Sequence, residues 1–260
     1  MMRNRPRTLR IIVSLCASAM LGACDSLGIK ADAGYGSFAL SGDVGLSPGG
    51  FTTPVPVDME SELGLGQRMG TPYARVEADF WIVSATFSGF AINQQGGGRL
   101  SQFFGTIPAG TTVTTDIDIK NAKAAVYFDL FDFDVVRISS GIGLDVFDLD
   151  LQTQATLGAI TVNERVNAIA PVPMLFLQGE VDIGMAEIVL DIGGMYADIA
   201  DANGKFIDVE LFCRIEPVDH VHLFAGYRHI VLDVEGIAEN QAFSGDIQLS
   251  GFMFGGGIRF

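Results

Sequence analysis

FSGDIQLSGFMFGGGIRF, residues 243–260, is the stretch whose reading decides the fold. Counted back from the end, Phe260, Ile258, Phe254 and Phe252 share one parity, with Gly256 the only gap. Arg259, Gly257, Gly255 and Gly251 share the other, joined by the apolar exceptions Met253 and Leu249. A period of two is the signature of a strand with one aromatic face and one small or polar face.

The same alternation recurs upstream. Ala74, Val76, Ala78 and Phe80 oppose Arg75, Glu77 and Asp79; Val136, Ile138, Ile142 and Leu144 oppose Arg137, Ser139, Gly141 and Gly143. Leu175, Leu177 and Val181 oppose Gln178, Glu180 and Asp182, while Ile207, Val209, Leu211 and Cys213 oppose Asp208, Glu210 and Arg214. Along 113–130 the apolar parity slips near Lys120–Ala122, which predicts a bulge in one long strand. Ten such segments are expected. Long connections (48–71, 96–111, 152–167, 199–205 and 235–245) alternate with tight ones near 81, 131–134, 183–187 and 216–220. That rhythm predicts an all-β, antiparallel transmembrane β-barrel of about ten strands, with eight or twelve as alternatives, short periplasmic turns and longer external loops.

The N-terminus reads as an export signal. Arg3, Arg5, Arg7 and Arg10 precede an apolar run, Ile11 to Met20, too short to span a bilayer. The expected organisation is a signal peptide over 1–23, a periplasmic tether over 24–34 and a barrel over 35–260. Without the four arginines of 1–23, 12 basic residues face 31 acidic ones, a net charge of −19 that argues against nucleic acid and anionic lipid as general partners. Cys16 leaves with the signal and Cys24 is the candidate lipid site, so Cys213 has no partner for a disulfide. No long apolar run follows the signal, which excludes helical spans.

Alternation alone does not distinguish a membrane barrel from a soluble one. Trp81, Phe131 and Phe133 at inferred tight turns, and Tyr196 near the far end of its strand, suggest two aromatic girdles. Glycines on the polar parity (Gly141, Gly143, Gly193, Gly226, Gly255, Gly257) suit a narrow, crowded interior. Both observations favour lipid outside. Arg75, Glu77, Asp79, Arg137, Glu180, Arg214 and Arg228 are then expected to fill the lumen and pair across it, leaving little room for water.

The terminal strand resembles the insertion signal read by the outer-membrane barrel assembly machinery, with Phe260 as its last residue. Leu21-Gly22-Ala23-Cys24 resembles a bacterial lipobox, which implies acylation at Cys24. Gly255-Gly256-Gly257-Ile258-Arg259-Phe260, Ala225-Gly226-Tyr227-Arg228 and Pro171-Val172-Pro173-Met174-Leu175 together resemble a family of small bacterial outer-membrane proteins. That likeness implies a barrel fold and an outer-membrane location, with no chemistry attached.

Candidate chemistry is sparse. His220 and His222, at i and i+2 of a strand, would share a face and could hold a metal, but no third ligand is identifiable. Asp148 and Asp150 also share a face, and with Asp116, Asp118, Asp145, Asp198, Asp201, Asp233 and Glu235 they form an expected acidic rim able to hold divalent cations. Arg228-His229-Ile230 lacks the serine of lipid A deacylases. The Asp-X-His spacing of outer-membrane aspartyl proteases is absent. No phosphate loop, nucleophile elbow or zinc spacing appears. The expectation is a non-enzymatic, monomeric outer-membrane barrel with a structural or binding role and no cofactor, in contact with outer-membrane lipids and lipopolysaccharide. A narrow channel for small solutes and a lipid-modifying enzyme are the alternatives.

Overall fold

Eleven strands alternate with short connections in the computed structural model, which describes residues 27–47, 53–199, 202–238 and 241–260. The signal peptide, Cys24 and Asp201 lie outside the described residues. In chain order the strands are β1 (Leu27–Leu46), β2 (Pro56–Asp58), β3 (Met69–Phe80), β4 (Val83–Arg99), β5 (Thr112–Asp132), β6 (Val136–Leu157), β7 (Ile160–Asp182), β8 (Ala186–Ile199), β9 (Ala202–Val218), β10 (Val221–Ala238) and β11 (Gln241–Arg259). β3 to β11 pair in sequence, β3 pairs with β1, and β1 pairs antiparallel with β11 from Lys30↔Arg259 to Leu46↔Phe243. The ring therefore closes with ten strands. β2 extends the wall: where β3 stops at Phe38↔Met69, β2 takes over as the neighbour of β1.

The start of β1 and the end of β11 lie at the end that carries the tight turns; the Ile29 amide donates to the Phe260 carbonyl at 3.1 Å. Trp81 (φ 55°) and His220 (φ 68°) adopt left-handed conformations in the two-residue turns there, as tight hairpins require. This is the periplasmic end. Several expectations are corrected. Residues 152–167 are not a loop but the top of the β6–β7 hairpin, and β10 and β11 cover most of 235–245. Residues 27–34 are not a tether but the start of β1, paired on both sides.

The barrel has two storeys. Near the periplasmic end, Phe80, Phe87, Phe128, Ile142, Leu175, Leu177, Phe252 and Phe254 project outward and are exposed. Trp81, Phe131 and Phe133 mark the lower edge of this belt, and Tyr35 and Tyr196 its upper part. Above it the polarity inverts. Phe38, Leu40, Ile92, Ile117, Ile119 and Leu151 point inward and are buried, while Asp118, Lys120, Asp148 and Asp150 lie on the outer parity. No bulge accompanies the inversion: β5 keeps an unbroken register with β4 and β6 through Lys120–Ala122, and its one irregularity lies at Asp129/Phe131. The slip in the sequence marks the membrane boundary. Below it apolar side chains face lipid; above it they form a water-excluding core. For the same reason the apolar parity of Phe38–Leu46 faces inward, not to lipid.

The segment after β2 folds into the upper mouth, burying Met59, Leu63 and Leu65, and Leu100, Phe104 and Ile107 close it from the β4–β5 connection. The Gly105 amide donates to the Leu46 carbonyl at 3.2 Å, and Thr106 hydrogen-bonds the Glu164 carboxylate. Each large apolar side chain so buried contributes about 1.5–3 kcal/mol.

Candidate functional site: the charged lumen

Below the apolar core, the lumen holds charged and polar side chains in two linked layers. Strand parity places them: β1 contributes Lys30 and Asp32, β3 Arg75 and Glu77, β5 Asn121 and Lys123, β8 Glu187 and Asp191, β9 Asp208, Glu210 and Arg214, and β10 His222 and Arg228. All are buried.

In the lower layer, the Arg214 guanidinium reaches Glu187 at 2.6 Å, Asp32 at 2.8 Å and Glu77 at 2.9 Å. Lys30 meets Glu187 at 2.7 Å, and His222 Nε2 lies against Asp32 Oδ1. Arg75 bridges the layers, contacting Glu77 at 2.5 Å and Glu210 at 3.0 Å. In the upper layer, Lys123 lies 2.6 Å from Glu210, 3.0 Å from Asp208 and 3.5 Å from Asp191. Arg228 binds Asp208 at 2.9 Å, Asp145 at 3.1 Å and the Asn121 side-chain oxygen at 3.0 Å. Tyr73 donates to Glu210 and Tyr127 to Asp191, each at 2.6 Å.

Aromatic rings fill the gaps between charges. Arg214 and Arg75 stand over Phe212 at 4.7 and 5.2 Å, and Arg228 over Phe90 at 5.5 Å. Stacking of this kind holds a desolvated guanidinium flat while its edge serves carboxylates. Burying so many charges costs several kcal/mol per ion, offset only where every charge meets opposite charges at close range.

Of the seven interior charges expected from sequence, Arg75, Glu77, Arg214 and Arg228 belong to this network. Arg137, Glu180 and Asp79 sit at its periplasmic mouth: Arg137 lies 2.6 Å from Glu180 and 3.9 Å from Asp79. The histidine pair does not form. His220 is an exposed turn residue whose Nδ1 lies 3.1 Å from the Arg259 carbonyl, whereas His222 is sealed in the lumen. A tight turn ends between them, so the i, i+2 relation of a strand does not apply. Asp148 and Asp150 lie on the outer wall of the upper storey, far along β6 from either histidine, with Lys120 3.8 Å from Asp148 and Arg165 2.5 Å from Asp150. Asp145 leaves the expected rim for the lumen.

Among the described residues, Glu180, Asp182 and Glu187 could place carboxylate oxygens within 4.8 Å of one another. Arg137 already neutralises Glu180, and Lys30 and Arg214 neutralise Glu187. Chemically the lumen is a lattice of ion pairs. The space between Glu77, Ser84, Thr86 and Gln178 is a cavity of about 10 Å³, no more than one water occupies. Sequence reasoning missed Lys30 and Asp32 because they were assigned to the tether, and Lys123 because it lies at the phase slip.

No known protein family matches the sequence, and no curated protein matches it. Solved structures match the fold. The outer membrane protease OmpT of Escherichia coli superposes with a TM-score of 0.52 at 10% identity, over 92% of this chain and 97% of that one. The outer membrane protein AlkL has a TM-score of 0.41 at 12% identity, over 100% and 97%. Ail of Yersinia pestis has 0.38 at 9%, over 91% and 100%. The fold is that of a bacterial outer-membrane β-barrel, and the outward apolar belt sets the chain in that membrane.

Proposed function

We propose that this protein is a closed, non-conducting outer-membrane barrel with a structural or binding role. The observation that carries the reading is the double obstruction of its interior: an ion-paired lattice at membrane depth beneath an apolar core with loops folded into the mouth. Both layers stand across the path a hydrated solute would take. The upper storey, with its acidic outer wall, is the surface offered to the exterior, where divalent cations and lipopolysaccharide phosphates are the expected contacts.

The protease named above raises a hydrolytic alternative. It finds little support in the three described histidines: His220 is in a periplasmic turn, His222 is fully buried, and His229 lies half-buried on the outer wall. A cleft shared by a histidine and a carboxylate at the external mouth would be needed. Single-channel recording in planar bilayers tests the main reading. The expected result is a flat baseline; steady ohmic steps overturn it in favour of the channel.

A further inference from the structure

The wall is not uniformly zipped. β7 and β8 pair only from Asp182↔Glu187 to Leu175↔Gly194. Above that pair β7 stays on β6 as far as Leu157↔Ile160, and β8 stays on β9 as far as Ile199↔Ala202, without further pairing to each other among the described residues. The sequence explains the parting. Pro171 and Pro173, four and two residues above the last pair, lack the N–H a ladder needs, and proline within a sheet belongs on an edge. The β6–β7 hairpin also leans over the mouth, where Glu164 receives Thr106.

At the base of this seam the outer wall has a depression of about 750 Å³, within the range of about 300–1,000 Å³ typical of small-molecule sites. Its rim includes Phe87, Leu144, Leu175 and Tyr196, and its floor reaches Met174 and Met195, which belong to the lumen parity. The depression is apolar and opens onto the lipid belt. Tyr196 stands at its edge in register with Lys205 of β9, and both are exposed. Irregular backbone at membrane depth is tolerated where it lines a cavity, not where it faces lipid directly.

We infer that the β7–β8 seam is a lateral binding site for a long-chain fatty acid: the hydrocarbon chain lies in the depression over Met174 and Met195, and the carboxylate meets Lys205 at the headgroup level. Hydrocarbon lining, a lipid-facing mouth and one cation at the polar edge are the complement of a single-chain anionic amphiphile. This goes beyond the closed-lumen reading, and conductance and chain binding are separate measurements, so either can fail alone.

The test uses the full barrel in phosphatidylcholine nanodiscs with Trp81, the only tryptophan, replaced by phenylalanine. Tyr196→Trp places a reporter at the depression and Phe254→Trp a control elsewhere in the lipid belt. Stearic acid brominated on its chain is expected to quench the first saturably, with an initial slope at least threefold that of the control, and brominated phosphatidylcholine to quench both alike. Equal quenching of the two reporters by the fatty acid, or saturable quenching by the phospholipid, overturns the inference. Met174→Cys with Met195→Cys, in a chain otherwise free of cysteine, continues the β7–β8 register. Its oxidation is expected to remove the saturable component and dithiothreitol to restore it; saturation that persists with the disulfide formed overturns the inference equally.

Discussion

Arg228 holds three acceptors from three different strands, so its loss strands charge that cannot reach water. Replacing it with methionine preserves much of the volume but leaves Asp145 buried without its cation and Asp208 with Lys123 alone. Breaking a buried pair in this way costs about 3–5 kcal/mol, and urea unfolding in lipid vesicles is expected to show a loss of that size for Arg228→Met. The exposed Arg165–Asp150 pair is the comparison: Arg165→Ala is expected to change stability by less than about 1 kcal/mol. The terminal strand offers a finer contrast. A Cβ at Gly257 would lie 2.3 Å from His222 Nε2 and 2.5 Å from the Ala31 carbonyl oxygen, whereas at Gly256 the nearest atom is 3.4 Å away. Overpacking costs about 1–3 kcal/mol, so Gly257→Ala should destabilise by that much. Gly256→Ala should stay within about 0.5 kcal/mol. Melting followed by heat-dependent gel mobility resolves the two.

At the scale of the element, β5 shows what the sequence tells and what it withholds. Its alternation was legible, and so were the ten ring strands and the lumen parity of Arg75, Arg214 and Arg228. The phase slip was legible too, but periodicity cannot say which medium lies on each side of a strand. A bulge and a change from lipid to water outside leave the same trace in a hydropathy pattern. Lys30 and Asp32 were hidden for a related reason, since the small residues around them give little alternation and only the closing partners β3 and β11 make them a strand. The partners of each lumen charge were not legible, because they depend on contacts across the ring. The inversion makes a prediction at this scale. Phe38 stacks on Phe90 with centroids 4.8 Å apart inside the upper storey, so Phe38→Ala is expected to cost about 3–5 kcal/mol as a core deletion. Phe254→Ala, on the lipid side of the same barrel, should cost clearly less in the same vesicle unfolding assay. The mouth segment after β2 has its own switch. The Ser61 amide and hydroxyl both donate to Asp58 at 2.6 Å, holding its carboxyl below the usual aspartate value. A lowered folded value means this contribution is present above the unfolded value and lost as pH falls through the folded one. Hydrogen exchange of residues 59–65, corrected for intrinsic rate, is expected to show more opening in acid. Asp58→Ala should show that opening already at neutral pH.

For the whole molecule, the two obstructions are arranged in series, and that arrangement predicts their separate effects. The mouth segment is tied to the upper core by apolar burial of Met59, Leu63 and Leu65, none of which touches the ionic lattice in sequence or register. The lattice is tied across seven strands by its own ion pairs and remains below even when the mouth is opened. Replacing residues 53–68 with a short Asn-Gly turn between β1 and β3, and Leu100, Phe104 and Ile107 with serine, opens the first obstruction and exposes the upper core. A barrel closed only by its mouth would then conduct as a steady pore. A barrel closed at both levels would keep a flat baseline in planar bilayers while binding more of a hydrophobic dye from the aqueous side. The second outcome is expected, because every cation of the lattice stays within a few ångströms of its carboxylates whatever lies above it. Conductance should appear only when the lattice is also weakened, for example by adding Arg75→Ala and Lys123→Ala to the shortened mouth, which leaves Glu210 without either cation and draws water in to solvate it. If the shortened mouth alone gives stable open currents, closure resides in the loops and the lumen charges serve stability only.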